Sequence, residues 1–354
     1  MATLFKSHDR KKFQIFAYSY GPDTKDTMRD ALINGVDYFR NVTGTTDQEI
    51  VKLARHDEID IAIDLKGYTQ HTRSAIFAYR LAPIQINYLG YPGTLGANFI
   101  DYIIADDVVI PPEQRQYYSE NVIYLPHSYQ VNDNTRKISA RPLSRAAFGL
   151  PEQAFVFCCF NNNYKISPQE FDIWMRLLDR VKGSVLWLLQ SNKWAKMNLC
   201  KEADKRGINP ERLIFANRVN QDEHLARQRL ADLFLDTFNV NAHTTASDAL
   251  WAGLPVVTKQ GQGFAARVAA SLLTSVGLPE LITNTDEEYE ALIFDLATDN
   301  TQLKIIKDKL AQNRHTHPLF NTELFARHIE DGYQQVYQLY SESKKPQTIK
   351  VIAN

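Results

Sequence analysis

Apolar positions in this chain fall into short continuous runs separated by stretches in which they recur every three or four residues. That alternation predicts strand followed by helix over most of the length. Phe13 to Tyr18, Ile59 to Leu65, Ile84 to Leu89, Tyr102 to Ala105 and Val122 to Leu125 read as strands, with helical spacing over Asp47 to His56 and Thr72 to Arg80 between some of them. From Asn132 to Pro151 the pattern lapses into polar residues with Pro142, Gly149 and Pro151, as in a linker. A second series follows: strand Phe155 to Phe160, helix Pro168 to Val181, strand Val185 to Leu189, helix Lys193 to Arg206, strand Leu213 to Ala216, helix Gln221 to Gln228 and strand Leu233 to Leu235. The fold class is therefore α/β, with two parallel-sheet domains expected over 1–140 and 151–320 and a cleft between them. A helix over 321–343 is expected to pack back toward the first domain, and Ser341 to Asn354 closes the chain as a polar tail.

The stretch Asp232 to Thr258, D-L-F-L-D-T-F-N-V-N-A-H-T-T-A-S-D-A-L-W-A-G-L-P-V-V-T, carries the strongest chemical signal. After the strand and a polar loop, His243-Thr244-Thr245 opens a helix whose apolar positions are Ala246, Ala249, Leu250 and Ala252; Gly253 and Pro255 stop it. Unpaired N–H groups and the positive dipole end of a helix N-terminus attract an anion. Thr244 and Thr245 add hydroxyl donors, His243 an imidazole donor, and Asp248, one turn in, an acceptor for ribose hydroxyls. The same residues also suit an ordinary capped helix with threonine as its N-cap.

Other strand-end loops of the second series add candidates. In N-N-N-Y-K-I-S-P, Lys165 sits just before a Ser-Pro helix start, where it either neutralises a phosphate or points to solvent. In N-R-V-N-Q-D-E-H-L-A-R, His224 and Arg227 lie one helical turn apart, and an imidazole there suits either a surface position or stacking on a base. In a doubly wound sheet all of these loops lie at the C-terminal edge of the strands, where ligands bind.

Composition narrows the partners. With 40 basic residues against 41 acidic ones, net charge −1, no electrostatic pull toward nucleic acid or a membrane surface is expected. No apolar run approaches the roughly 20 residues of a membrane span, and the opening M-A-T-L-F-K-S-H-D-R-K-K lacks the apolar core of a signal peptide, so the cytoplasm is the expected location. The 3 cysteines, Cys158, Cys159 and Cys200, have neither the number of a disulfide framework nor the spacing of a zinc site. No D-x-D triplet suggests a divalent metal on a diphosphate, so none is expected as cofactor.

Taken in order, L-W-L-L, H-x-x-R, D-x-x-x-x-N-x-H-T-T-x-x-D-x-L-W-A-G-x-P-V-V-T, R-V-A-A-S-L-L (Arg267 to Leu273) and P-L-F-N (Pro318 to Asn321) resemble the catalytic region of the protein O-GlcNAc transferases. In the first domain G-Y-T at Gly67, A-P-I-Q at Ala82, L-G-Y-P-G-T-x-G at Leu89 and D-Y-I-I-A-D at Asp101 match the same family, and the likeness extends to about Tyr340. The resemblance implies a GT-B fold and inverting, metal-independent transfer of N-acetylglucosamine from UDP-GlcNAc to Ser or Thr hydroxyls of a protein acceptor. It implies Lys165 and Asn162 at the diphosphate, His224 and Arg227 at the uracil, His243, Thr244 and Thr245 as the pyrophosphate cradle, Asp248 at the ribose, and Leu89 and Gly90 in the loop facing the sugar. At the family's second lysine near the ribose this chain has Gln221, which is expected to weaken that contact.

The family's first domain begins with a strand and a D-F-x-x-H-P segment whose histidine lies near the sugar. The opening here resembles the helix just after that segment, so the first strand, its histidine and the preceding helical-repeat array are expected to be missing, which would leave a sheet edge unpaired. His127, in L-P-H-S-Y, is then the first-domain candidate for an acid–base role, against the alternative of a simple turn histidine. Three readings stay open at this stage. They are an active glycosyltransferase, with UDP-glucose or GDP-fucose as alternative donors, a nucleotide-sugar-binding protein with little activity, and a non-catalytic partner module.

Overall fold

The computed structural model describes residues 1–22 and 24–353. They divide into two compact units: Met1–Thr135 together with the chain from Pro318 onward, and Arg136–His317. In chain order the regular elements of the first stretch are α1 (Ala2–Ser7), β1 (Phe16–Ser19), α2 (Thr27–Asn34), β2 (Tyr38–Asn41), α3 (Asp47–His56), β3 (Ile61–Asp64), α4 (Ala75–Ala78), β4 (Ile84–Asn87), β5 (Tyr102–Ala105) and β6 (Asn121–Tyr124). The second unit holds β7 (Val156–Cys159), α5 (Pro168–Arg180), β8 (Val185–Leu189), α6 (Lys193–Lys205), β9 (Leu213–Ala216), α7 (Gln221–Gln228), β10 (Leu233–Leu235), α8 (Thr244–Ala252), β11 (Val256–Lys259), α9 (Val268–Ser275), β12 (Ile282–Thr283), α10 (Asp286–Thr298) and α11 (Asn300–Thr316). The chain then returns to the first unit with α12 (Thr322–Ser341) and β13 (Ile349–Lys350).

Among the described residues the strands form three sheets, all of them parallel. The first unit has a sheet in the order β13-β6-β5-β4-β3, and β1 pairs with β2 alone. The second unit has the order β12-β11-β10-β7-β8-β9. Strands β7 and β8 are buried along their whole length, which is why they read as continuous apolar runs and not as alternating ones. Their neighbours on the faces are amphipathic helices that the sequence caps well. Helix α5 begins at Ser167 with Pro168 in its first turn and Glu170 returning the capping box, and it buries Phe171, Trp174, Leu177 and Leu178.

The order of the second sheet matters for function. Strand β7 runs on to β8 and β9 on one side, yet its other neighbour is β10, entered only after those strands are complete. The loops leaving the C-terminal ends of β7 and β10 therefore diverge, which opens a crevice at that edge.

Several elements differ from the sequence expectation, each for a physical reason. Helix α2 and strand β2 are absent from it because α2 buries none of its residues and β2 is exposed at both ends, so neither leaves an apolar period. Helical spacing over Thr72 to Arg80 yields only the single turn α4, since Ser74 and Thr72 bond to each other and Ser74 donates to Asp64, drawing the start of the segment out of a helix. The polar tail also contains β13, whose Ile349 pairs with Ile123 of β6 while Val351 is buried beside it. The tail's last residue, Asn354, lies outside the described residues.

Candidate active site

At the β7/β10 edge a single fully buried carboxylate organises the loop that precedes α8. Asp236 accepts from the backbone N–H of Thr237 at 2.8 Å and of Ala242 at 2.6 Å, and from Thr258 Oγ1 at 2.7 Å. Burial raises its carboxyl to about 7, against those hydrogen bonds and the nearby Lys165, which all favour the ionised form. Thr237 Oγ1 donates to the Val240 carbonyl at 2.7 Å and accepts from Asn161 Nδ2 at 2.8 Å, so the loop after β10 is tied to the loop after β7.

Lys165 closes this arrangement. Its Nζ donates to the Asn241 carbonyl at 2.9 Å, across the two loops. Burial lowers its pKa, and the Asp236 carboxylate pulls the other way. Asn162, next to it, lies within 3.5 Å of Arg218. Thr245 Oγ1 donates to Asn161 Oδ1, so one of the two predicted threonine hydroxyls is already engaged; Thr244 is exposed.

Helix α8 starts at Thr244 with His243 in the N-cap position, and no side chain caps its first turn. The threonine N-cap weighed from the sequence is therefore not what forms. The N–H groups at this end remain as donors beside Lys165. Its far end is as expected: Gly253, at φ 91°, takes the left-handed conformation that lets its N–H return to the Ala249 and Leu250 carbonyls. Between them Ala246, Ala249, Leu250 and Ala252 are all buried.

Two of the unit's four histidines, His224 and His243, are kept as neutral rings by burial. His243 Nε2–H donates to the Ala265 carbonyl at 3.0 Å, and burial, with Lys165 beside it, lowers its pKa to about 4. The imidazole donor expected for an anion is thus committed to protein, leaving Nδ1 as an acceptor. His224 accepts at Nδ1 from Arg227 Nη2 at 2.8 Å, and burial followed by the Arg227 charge lowers its pKa to about 4. Arg227 itself is buried, donates to the Asn217 carbonyl at 2.5 Å and lies 4.7 Å from the Phe160 ring centroid. It stands behind His224 as support, which a one-turn spacing alone does not reveal.

In the first unit the loop after β4 carries Leu89 and Gly90. Leu89 adopts φ 69°, a left-handed conformation that costs roughly 1–2 kcal/mol for a residue with a Cβ. Tyr88 holds it there, with its N–H on the Asp64 carbonyl at 3.0 Å and its hydroxyl on the Tyr129 carbonyl at 3.0 Å. Gly90 is required by close approach, since a Cβ there would lie 2.1 Å from the Leu65 carbonyl oxygen. The Tyr88–Tyr129 bond brings this loop beside the one after β6, where His127 sits half-buried with its pKa lowered by burial. Its ring centroid is 5.4 Å from that of His328 on α12.

The sequence candidates therefore gather in two groups: Asn162, Lys165, His224, Arg227, His243, Thr244, Thr245 and Asp248 in one unit, and Leu89, Gly90 and His127 in the other. Asn161, Asp236 and Thr237 were not among them, although the aspartate opening D-x-x-x-x-N and the asparagine ending a buried strand are signals for it. Arg136 was missed as well. It pairs with Asp248 from a loop with no apolar period to mark it.

Two α/β units with parallel sheets, the second with a doubly wound strand order, make this a GT-B fold. The model of glycosyl transferase family 41 matches residues 1–142 and 137–329, and the chain belongs to that family. It is similar to the probable UDP-N-acetylglucosamine–peptide N-acetylglucosaminyltransferase SEC of Arabidopsis thaliana, with 37% identity over 361 residues that cover 100% of this chain and 37% of that protein. It is also similar to the UDP-N-acetylglucosamine–peptide N-acetylglucosaminyltransferase of Caenorhabditis elegans, with 28% identity covering 98% of this chain and 40% of the relative. Among solved structures, a mutant of the Thermobaculum terrenum O-GlcNAc transferase superposes with a TM-score of 0.89 and 29% identity, over 97% of this chain and 65% of that one. The chain spans little more than a third of the length of the Arabidopsis relative.

Proposed function

We propose that this chain transfers N-acetylglucosamine from UDP-GlcNAc to serine or threonine hydroxyls of protein acceptors. The observation that carries the reading is the meeting of a half-buried lysine, the uncapped first turn of α8 and a neutral, supported histidine at the switch point of a doubly wound sheet. Its support from outside is the activity named for the relatives.

In this reading Lys165, the α8 amides, that of Thr245 among them, and the Thr244 hydroxyl hold the diphosphate, with Asn162 alongside and the His243 ring packed against the cradle. His224, backed by Arg227, lies against the uracil, and Asp248 accepts from the ribose. The acceptor oxygen attacks the anomeric carbon from the face opposite the nucleotide, so configuration inverts as the bond to the β-phosphate oxygen breaks and UDP leaves with the electron pair. Charge growing on the departing diphosphate is met by the Lys165 ammonium and the helix terminus, with no metal in the scheme. His127 is the proposed proton acceptor, since a ring kept neutral by burial is in the form that takes a proton at neutral pH. Leu89 and Gly90 are proposed at the sugar. Among the described residues no helix is long and apolar enough to cross a membrane, and a cytoplasmic location is part of the same proposal.

Calorimetric titration with UDP, UDP-GlcNAc and GDP-fucose, followed by transfer to a Ser/Thr peptide read by mass spectrometry, tests it. The expected result is binding of both uridine nucleotides and a peptide one N-acetylhexosamine heavier. Preference for GDP-fucose overturns the donor. Binding of UDP-GlcNAc without transfer leaves a nucleotide-sugar-binding protein.

A further inference from the structure

Asp248 does not face its surroundings alone. It is 7% exposed, and its two oxygens are divided between two donors: Oδ1 pairs with Arg136 Nη1, and Oδ2 accepts from Gln221 Nε2 at 3.1 Å. Arg136 is the first residue of the second unit, 112 positions from Asp248 in the chain. Its main chain is held independently of that pair, because the Arg136 carbonyl accepts from Trp251 Nε1 at 3.1 Å, and its guanidinium lies 6.0 Å from the Trp251 ring centroid.

A carboxylate offers about four lone-pair directions, and two donors, one on each oxygen, leave about one on each. Fixing the group in this way aims the remaining acceptors. Gln221 can orient Asp248, but it carries no charge. Arg136 brings the positive charge, which matters because an uncompensated carboxylate next to a diphosphate cradle repels the ligand that the cradle attracts.

We propose that Arg136 is a positioning residue for the ribose: it neutralises and orients Asp248 so that the carboxylate accepts the 2′- and 3′-hydroxyls, and it thereby makes the site selective for ribonucleotides. The inference rests on the nucleotide site proposed above. It predicts that hydroxyl recognition depends on a residue that does not touch the nucleotide.

The test is calorimetry of UDP and 2′,3′-dideoxy-UDP with the full chain carrying arginine, alanine or lysine at position 136. The unaltered protein should favour UDP by roughly tenfold or more, the worth of charge-assisted hydrogen bonds. Arg136→Ala should weaken both ligands but UDP more, so that the preference falls below about threefold. Arg136→Lys, which keeps the charge, should recover most of the loss shared by both ligands. Circular dichroism reports the fold of each variant, and if the alanine variant does not fold, Arg136→Gln reads the same ratio. Equal weakening of both ligands with the preference intact overturns the inference and leaves Arg136 a structural pair. Tighter binding of UDP by Arg136→Ala also overturns it, making the arginine a competitor for Asp248. An unaltered protein with no measurable affinity for UDP overturns the site itself, and this inference with it.

Discussion

Both units are parallel α/β sheets, but they stabilise their candidate residues in different ways. In the second unit the candidate residues hang on hydrogen bonds between loops: Asp236 gathers four donors, Asn161 joins two loops, and Lys165 spans them. In the first unit the corresponding loop adds main-chain crowding to the Tyr88 hydrogen bonds, with Gly90 against Leu65 and Leu89 held at positive φ. A web of polar contacts positions side chains and can lose one member at a time. A crowded main chain has no such tolerance. Tryptophan helps to tell the units apart, because all 4, Trp174, Trp187, Trp194 and Trp251, belong to the second.

The largest expected effect comes from Gly90→Ala. With the Leu65 carbonyl carbon at 2.8 Å and its oxygen at 2.1 Å from the added Cβ, main chain must move, at a cost of about 3 kcal/mol or more. Hydrogen exchange should rise in β3 and β4, while UDP titration of the second unit stays near its unaltered value. Loss of UDP binding in step with that exchange would show that the second unit depends on the packing of the first.

Next is Lys165→Ala, which should weaken UDP by about 1.5–3 kcal/mol through loss of a charge-assisted contact, with exchange in the first unit unaltered. Unchanged affinity would remove Lys165 from the site. His224→Ala should cost about 1 kcal/mol for UDP and far less for pyrophosphate alone, because the ring is assigned to the base. Equal losses would make it a structural support like Arg227.

The smallest effect is a dependence on pH. His224 and His243 titrate at about 4 in the folded chain against 6.5 ordinarily, so as the pH falls through this window the unfolded chain takes up protons that the folded unit refuses. Their contribution is full above 6.5 and declines toward 4. Asp236, raised to about 7 from 3.8, acts in the opposite sense, since its folded carboxyl takes a proton first. Two histidines outweigh one carboxyl. The urea midpoint followed by tryptophan fluorescence should therefore be lower near about pH 4.5 than at about pH 7, and His224→Asn should narrow the gap. A midpoint that rises on acidification would show Asp236 in control.

How much was legible follows the same division. The second unit's elements from β7 to α8 could be read almost to the residue, because β7, β8 and β10 are continuous apolar runs, α5 carries its own cap and α8 its own stop, whereas α9, β12, α10 and α11 went unread. Lys165, His243 and Asp248 were singled out because a helix start after a buried strand has a chemical signature. Partners that arrive from a distance could not be read: Arg136 on Asp248, or the Ala265 carbonyl that occupies the His243 proton, depend on tertiary packing. In the first unit α2, β2 and β13 escaped because short, exposed elements leave no period. The family likeness supplied Leu89 and Gly90, but the crowding at Gly90 emerged only from the fold.

Strand β13 bears on how the molecule is made. A ribosome delivers the chain from its N-terminus, so every strand of the second unit is available before Ile349 and Lys350 emerge to lie against β6. The outer edge of β6 must wait through the synthesis of an entire unit, with Ile123 and Tyr124 offering open backbone to any passing strand. The nascent first unit thus carries an open strand edge until Ile349 and Lys350 close it.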